Sequence, residues 1–248
     1  MPQPMPETVT FEQIGRLLEG AVDQIRHHHE RLSRLDSAVG DGDHGITILR
    51  AMEAVSQTVA QNPEGDLQQL FSKIAWAVMS CDGGSTGPLL GTFFAGMGEA
   101  GAGKRDLDGP GLVALIEAGI QQLQKQSRAR IGDKTMMDAF LPALAAMKSA
   151  APDEAPSRIL QLAAEAAARG AEATTGMRAK FGRARNLGDR VLGHLDPGAV
   201  SVSLLFQGFS ETASRFTADP GEQRQPGLFQ IPIPTTTTPT KLDVGIPS

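Results

Sequence analysis

The spacing of apolar residues constrains the fold of this chain more than any other feature of its sequence. Apolar side chains recur at intervals of three and four residues along most of the first 218 positions, and strict alternation is nearly absent. Such a repeat predicts amphipathic helices. Aromatic residues make up only 4% of the chain, which favours closely packed helices rich in alanine and leucine over a β-sandwich. We therefore predict an all-α fold.

About eight helices are predicted, and most of their starts coincide with glycine, proline or a capping side chain. The first covers about residues 10–35, the second begins just past Gly45, and Asp66 is placed to cap the third. The remaining five are predicted over residues 88–100, 109–126, 134–150, 156–170 and 199–216.

The composition of the chain divides it into three parts. Residues 10–218 carry the helical repeat, and residues 1–9 form an N-terminal extension. In residues 219–248, prolines and a run of threonines replace the repeat, which predicts an extended or disordered tail.

Charge and cysteine content restrict the partners and the compartment. A net charge of −5 argues against a broad nucleic-acid-binding surface. The sequence has no apolar run of membrane-spanning length and no signal-peptide core at its start, so we expect no membrane insertion. The single cysteine, Cys81, excludes an internal disulfide and fits a reducing compartment. We expect a cytoplasmic protein.

Residues 40–45, GDGDHG, literally match the G-x-G-x-x-G pattern of dinucleotide-binding loops. That interpretation needs a strand before the loop and a βαβ unit around it, whereas the preceding residues have a helical pattern. Asp41 and Asp43 would also face the phosphates. Two like charges about 5 Å apart repel by about 3 kcal/mol at an effective dielectric constant near 20. We therefore reject bare pyrophosphate binding here.

A bound metal cation would remove this repulsion, because it attracts both the carboxylates and the phosphates. Asp36, Asp41 and Asp43 have the spacing D-x4-D-x-D across a glycine-rich bend, where the chain can turn sharply enough for their oxygens to converge. Hard oxygen ligands favour Mg²⁺ or Mn²⁺ over zinc, and magnesium commonly completes its coordination with substrate phosphates. An EF-hand does not fit because Met52 occupies the twelfth position counted from Asp41. The alternative is that these aspartates cap the next helix or form turns, and this segment alone leaves both open.

Two further glycine-rich segments precede predicted helices, CDGGSTGPLLG at residues 81–91 and LDPGAVS at residues 195–201. Backbone N–H groups at a helix start bind phosphate. Ser85 and Thr86 add hydroxyl groups in the first segment, and Asp196 is a candidate N-cap in the second.

Glycine-rich helix starts are common, so neither segment alone identifies a site. Three such loops and a cluster of aspartates in one helical domain together predict a metal-assisted phosphate site. The segment GDKT at residues 132–135 lacks the Walker A spacing, so a nucleotide site in this chain would not be a P-loop.

Four segments, taken together and in order, point to a known family. They are LDSAVGDGDHG, GGSTGPLLG, GDKTMMDAFLPAL and GRARNLGDRVLGHLDPGAVS. With them, residues 10–218 resemble the nucleotide-binding L subunit, or C-terminal domain, of dihydroxyacetone kinases. The resemblance implies an antiparallel barrel of eight helices, with glycine-rich loops that form a nucleotide site at one end.

The resemblance also implies what the site binds. Two Mg²⁺ ions would join the phosphates of ADP or ATP to Asp36, Asp41 and Asp43, and Arg183 would add positive charge near the transferred phosphoryl group. With these four as the catalytic residues, the resemblance implies that the nucleotide is bound by His44, Gly45, Ile46, Thr47, Ser85, Thr86, Gly132, Thr135, Met136, Arg183, Asp196, Pro197 and Gly198.

The activity implied is that of a glycerone kinase with a divided active site. In this family a separate K-type subunit holds the ketone, so we expect this chain to transfer phosphate to dihydroxyacetone or another short keto sugar only with that partner. Two donors stay open: exchangeable ATP, or a bound ADP that is rephosphorylated by a phosphotransferase-system protein. A homodimer also stays open.

Two other functions compete with this one. The first is a non-catalytic, nucleotide-responsive module that acts on a regulator. The second is the related nucleotide domain of fatty-acid kinases. The complete set of three aspartates favours catalysis over the first, and the DGDHG loop and DPGA turn favour the sugar-kinase group over the second.

Overall fold

The computed structural model describes residues 7–82 and 84–218, and these residues form helices joined by loops. The part of the chain so described contains the α-helices α1 Phe11–Val39, α2 His44–Gln61, α3 Leu67–Met79, α4 Thr86–Ala100, α5 Gly109–Gln126, α6 Met137–Lys148, α7 Pro156–Ala173 and α8 Pro197–Ala218. Two 3-10 helices, Thr174–Gly176 and Arg183–Val191, lie between α7 and α8. The all-α prediction is confirmed. The tail predicted over residues 219–248 lies outside the described residues and stays a prediction.

Several helices begin directly after a residue whose side chain caps the first turn. At the start of α1, the Thr10 hydroxyl accepts the N–H of Gln13 and the Gln13 side chain accepts the N–H of Thr10, which is a capping box. Asp66 and Asp108 accept N–H groups in the first turns of α3 and α5 in the same way. Helix α5 coincides with the predicted range 109–126.

The helices close into a ring in the order of the chain. Each helix packs against the next one in sequence, and α1 also packs against α8. Short connections between successive helices make neighbours antiparallel. The predicted antiparallel barrel is confirmed. Its core contains a series of phenylalanines in ring-to-ring contact: Phe71, Phe94, Phe93, Phe140, Phe206 and Phe209.

Antiparallel order brings four connections to the same end of the barrel. Odd-numbered helices run towards this end and even-numbered helices run away from it. The connections α1–α2, α3–α4, α5–α6 and α7–α8 therefore meet there, and they contain the four segments singled out in the sequence. Among the described helices, none is both long and apolar enough to cross a membrane.

Glycines let α1 approach both of its neighbours closely. A methyl group placed on Gly45 of α2 would lie 1.9 Å from the carbonyl oxygen of His29 on α1. On the other side, a methyl group on Gly208 of α8 would lie 2.4 Å from the carbonyl oxygen of Gly20. Backbone contact on both sides fixes the position of α1, whose last turn carries Asp36.

Several predictions at this end of the barrel are wrong. Helix α6 begins at Met137 instead of residue 134, because Lys134 has a φ of 60° and cannot continue a right-handed helix. Helix α4 begins at Thr86, two residues before the predicted start at Pro88. The 3-10 helix Arg183–Val191 was not predicted, because only its last residue is buried and the apolar repeat is missing.

Candidate functional site

Three carboxylates converge between α1 and α2. Asp36 lies in the last turn of α1, Asp41 in the connection, and Asp43 directly before α2. One oxygen from each lies within 4.8 Å of the others. Asp36 is only 9% exposed, whereas the other two side chains reach solvent. Three hard oxygen ligands that open to solvent on one side suit a divalent cation that also contacts phosphate.

Helix capping explains Asp36 but not the other two aspartates. Asp36 Oδ2 accepts the N–H of His44 at 3.2 Å. Asp43 occupies the N-cap position of α2 but makes no capping hydrogen bond with its side chain. The side chain of Asp41 is paired instead with Arg183. The alternative that the aspartates only cap α2 therefore does not account for Asp41 and Asp43.

The glycines of the loop allow the three carboxylates to approach one another. Gly42 has a φ of 82°, in the left-handed region that glycine adopts without steric cost. A methyl group on Gly40 would lie 2.3 Å from Asp36 Oδ1. Side chains at these two positions would disturb either the turn or the buried carboxylate.

Arg183 places a permanent positive charge beside the aspartates. Its Nη1 lies 3.6 Å from Asp43 Oδ1 and forms a closer ion pair with Asp41. Attraction to Asp41 raises the pKa of Arg183 above its already high value. A guanidinium group in this place can contact carboxylate or phosphate oxygens.

His44 connects the starts of three helices. Its Nε2 lies 2.7 Å from Ser201 Oγ on α8, and its Nδ1 lies 3.5 Å from Thr86 Oγ1 on α4. Since the Ser201 hydroxyl donates to the carbonyl oxygen of Pro197 at 3.0 Å, its oxygen accepts from His44, which assigns the proton to Nε2. Burial lowers the pKa of His44 despite two nearby carboxylates. Burial therefore favours the neutral ring.

The start of α4 faces the His44 ring. Thr86 is buried at this start, whereas Ser85 is exposed and makes no capping hydrogen bond with its side chain. Gly84, just before, has a φ of 50°. The exposed Ser85 hydroxyl and the first N–H groups of α4 are therefore placed where a phosphate could accept hydrogen bonds.

The start of α8 is capped by a side chain. Asp196 Oδ2 accepts the N–H of Ala199 at 2.8 Å, which confirms the predicted capping role. Burial raises the pKa of Asp196 to about 7, although this hydrogen bond and the charge of Lys134 oppose the shift. A methyl group placed on Gly198 would lie 3.5 Å from the backbone nitrogen of Met136. The turn before α8 and the loop before α6 are therefore in contact.

The residues that hold the loop before α6 were missed by sequence reasoning. The buried Asp138 accepts the N–H of Gly132 at 2.5 Å and the N–H of Thr135 at 2.8 Å. Lys134 is 2% exposed and donates to the carbonyl oxygens of Thr174 and His194. A signal was available, because GDKTMMDAF places three charged residues in a segment that is otherwise apolar or small.

The predicted site residues lie at one end of the barrel, but some of their polar groups are already hydrogen-bonded within the protein. Ile46 is exposed, whereas the buried Thr47 donates its hydroxyl to the carbonyl oxygen of Asp43. The N–H groups of Gly132 and Thr135 are already bound by Asp138. Contact of any of these residues with a nucleotide stays a prediction.

Fold and site together define a class of protein, a closed antiparallel helical barrel with a carboxylate cluster and several helix starts gathered at one end. A family model described as the DAK2 domain matches residues 38–211. The chain belongs to the DAK2 domain family, and the predicted resemblance is confirmed.

Curated relatives support the same assignment. The chain is 33% identical over 197 residues to the ADP-binding subunit DhaL of PEP-dependent dihydroxyacetone kinase 1 from Listeria innocua, covering 79% of this chain and 94% of the relative. It is 31% identical over 196 residues to the ADP-binding subunit DhaL of the PEP-dependent kinase from Escherichia coli, covering 79% and 93%. Bovine triokinase/FMN cyclase is 34% identical over 204 residues, covering 81% of this chain and 35% of the relative.

Solved structures show the same fold. The dihydroxyacetone kinase of C. freundii in its native form matches with a TM-score of 0.64 and 28% identity, covering 86% of this chain. The same kinase in complex with AMP-PNP and Mg²⁺ matches equally well. This chain spans 36% of the length of the native crystallised chain, whereas it spans nearly all of the bacterial subunits named DhaL.

Proposed function

We propose that this chain is the nucleotide-binding subunit of a dihydroxyacetone kinase. It holds ADP or ATP with Mg²⁺ and transfers the terminal phosphoryl group to dihydroxyacetone, or to a related short keto sugar, on a separate K-type subunit. The observation that carries the proposal is the convergence of Asp36, Asp41 and Asp43 beside Arg183. The names of the bacterial relatives and the solved complex with AMP-PNP and Mg²⁺ support it.

The three aspartates are the metal ligands in this proposal. Asp36 binds from the protein side, and Asp41 and Asp43 bind from the solvent side. Two Mg²⁺ ions, when bound, supply the positive charge that neutralises the phosphate oxygens. Arg183 is close enough to both solvent-side carboxylates to pass from them to the terminal phosphate.

Helix starts bind the rest of the nucleotide in this proposal. The N–H groups at the start of a helix carry partial positive charge and bind phosphate oxygens. The groups proposed for the phosphates and ribose are His44, Gly45, Ile46, Thr47, Ser85, Thr86, Asp196, Pro197 and Gly198. Gly132, Thr135 and Met136 border the nucleotide, because Met136 adjoins Gly198.

Phosphoryl transfer depends more on charge neutralisation and positioning than on a protein nucleophile. A substrate hydroxyl oxygen forms the new bond to the terminal phosphorus and loses its proton to solvent, while the bond to the bridging oxygen breaks and the diphosphate keeps that electron pair. The chain's own residues hold the donor in place. The acceptor is held by the K-type subunit, so the chain alone turns over no substrate.

For the donor we propose the coenzyme route. The bacterial relatives that match over nearly their whole length are named PEP-dependent or PTS-dependent, with an ADP-binding subunit. In this route, bound ADP stays on the chain and a phosphotransferase-system protein rephosphorylates it.

The test combines nucleotide analysis with reconstitution. Purified chain is denatured, the released nucleotide is identified by chromatography, and exchange against labelled ATP is followed with native chain. Dihydroxyacetone phosphate is then assayed with the chain alone, a K-type subunit alone, and both. We expect the purified chain to retain ADP. We expect dihydroxyacetone phosphate to form only when both subunits and the donor protein are present. Product from the chain alone, or no affinity for Mg-ADP, would refute the proposal, and rapid ATP exchange would replace the coenzyme route by the ATP route.

A further inference from the structure

Lys134 is a buried cation for which the proposed chemistry has no use. It lies in the connection between α5 and α6 and is 2% exposed. Its φ of 60° is the only positive value at a residue other than glycine within residues 7–82 and 84–218. Lysine is rarely buried and rarely adopts the left-handed backbone conformation. Two unfavourable features at one residue require compensating contacts nearby.

The ammonium group makes those contacts with two distant segments. It donates to the carbonyl oxygen of Thr174, at the end of α7, and to that of His194, two residues before Asp196. These acceptors lie 40 and 60 residues away in sequence. One side chain thus joins the loop before α6, the end of α7 and the turn before α8.

Neighbouring groups complete the same junction. Asp196 donates its N–H to Thr174 Oγ1 at 2.9 Å, and Gly193 donates its N–H to the carbonyl oxygen of Thr175 at 2.8 Å. Burial lowers the pKa of Lys134, whereas the nearby carboxyl groups of Asp196 and Asp138 act to raise it. The two carbonyl oxygens receive a charged donor that water cannot easily replace at this depth.

We infer that Lys134 is a positioning residue for the nucleotide, because its ammonium group sets the distance between residues 132–136 and the 196–198 turn. The inference rests on the proposed function, which assigns both segments to the nucleotide pocket. They touch where Gly198 faces Met136. Without the ammonium group, the buried carbonyl oxygen of Thr174 and the partly buried one of His194 lose their donor, and the two segments can separate. The aspartate cluster, which is built on α1 and α2, does not depend on this contact.

The experiment compares Lys134→Met with a matched control in the same loop. Lys180 pairs with Asp133 from the solvent side at 2.7 Å, and its side chain is 65% exposed. Lys180→Met therefore makes the same chemical change on the outside of this loop. Leu17→Ala, in the core part of α1 remote from Asp36, serves as a variant of lowered stability. Calorimetry measures the affinity of each full-length chain for Mg-ADP and, separately, for Mn²⁺ alone.

A selective loss of nucleotide affinity is the expected result. Lys134→Met should weaken Mg-ADP binding by about tenfold or more, because small displacements of binding groups have large effects, while Lys180→Met should stay within about twofold of wild type. Mn²⁺ affinity should be unchanged in both variants. A role in stability alone would not lower the affinity for Mg-ADP while leaving the affinity for Mn²⁺ unchanged.

Three results would overturn the inference. They are wild-type Mg-ADP affinity in Lys134→Met, a parallel loss of Mn²⁺ affinity, and an equal loss in Leu17→Ala at the same thermal midpoint. If Lys134→Met does not fold, Lys134→Gln replaces it, because its amide is one bond shorter and cannot reach both carbonyl oxygens, and the same criteria apply. If the wild-type chain itself does not bind Mg-ADP, the proposed function fails first and this inference fails with it.

Discussion

The candidate site has two sides that are assembled in different ways. The aspartate side, Asp36, Asp41 and Asp43, comes from eight consecutive residues, and two of its three carboxylates face solvent. The lysine side joins Lys134 to Thr174 and His194, which are 40 and 60 residues away, and buries the charge between them. Ligands that face solvent can thus be encoded locally, whereas the support behind a pocket depends on residues that only folding brings together.

Asp41→Asn should have the largest effect on ligand binding, and it acts on the aspartate side. Loss of a charged ligand should lower the affinity for Mg-ADP by about 10- to 100-fold, the range found when metal sites lose one supporting group. Calorimetry measures the affinity, and circular dichroism should show unchanged helix content. Asp153→Asn, an exposed aspartate in the α6–α7 connection at the other end of the barrel, is the control. Equal affinity in Asp41→Asn and wild type would show that this carboxylate binds no metal.

Gly45→Ala should separate α1 from α2 and so disturb the base of the aspartate side. The added methyl group would lie 1.9 Å from the carbonyl oxygen of His29 and 2.7 Å from the nitrogen of Ser33, both backbone atoms. We expect the free energy of unfolding to fall by about 3 kcal/mol in urea titrations. Gly176→Ala, beside Thr174 on the lysine side, has no atom within 4 Å and should stay within about 0.5 kcal/mol. Similar stabilities for the two variants would contradict the close packing of α1 on α2.

Asp138→Asn should loosen the lysine side by a smaller amount. Both carboxylate oxygens accept backbone N–H groups, and an amide can replace only one of them as acceptor. We expect a loss of about 1–2 kcal/mol in the free energy of unfolding. Asp189→Asn breaks only an exposed pair with Arg178, and it should cost less than about 1 kcal/mol. Should Asp138→Asn be no less stable than Asp189→Asn, the loop before α6 is held by other contacts.

Asp196→Asn should change the pH dependence of stability on the lysine side. The pKa of Asp196 is about 7 in the folded chain against an ordinary value of 3.8, so the folded state binds this proton more tightly than the unfolded state. The free energy of unfolding of the wild type should therefore fall as pH rises from about 4 to about 7, and the asparagine variant should lack this contribution. Urea midpoints in metal-free buffers at several pH values measure it. Parallel pH profiles would mean that this carboxyl group titrates normally.

Much of the fold and of the aspartate side was predictable because the relevant interactions are local. The three- to four-residue repeat identified the helices, and the capping side chain of Asp66 marked a helix start correctly. The aspartate spacing and its glycines predicted a convergence that the structure shows. The start of α6 was wrong for the opposite reason: the left-handed backbone of Lys134 is compensated by acceptors just after α7 and before α8, which no local pattern contains.

Local patterns were sufficient to identify the α-helical segments and the side chains that can hold a cation, because helix periodicity and the spacing of ligands operate over a few residues. That His44 contacts residues of α4 and α8, and that Lys134 is buried beneath the turn before α8, follows from how the helices pack together. The physical reason is that a buried polar group is stable only where partners satisfy it. For His44, those partners lie on α4 and α8, and α8 comes close to α2 because the ring closes where α8 packs against α1.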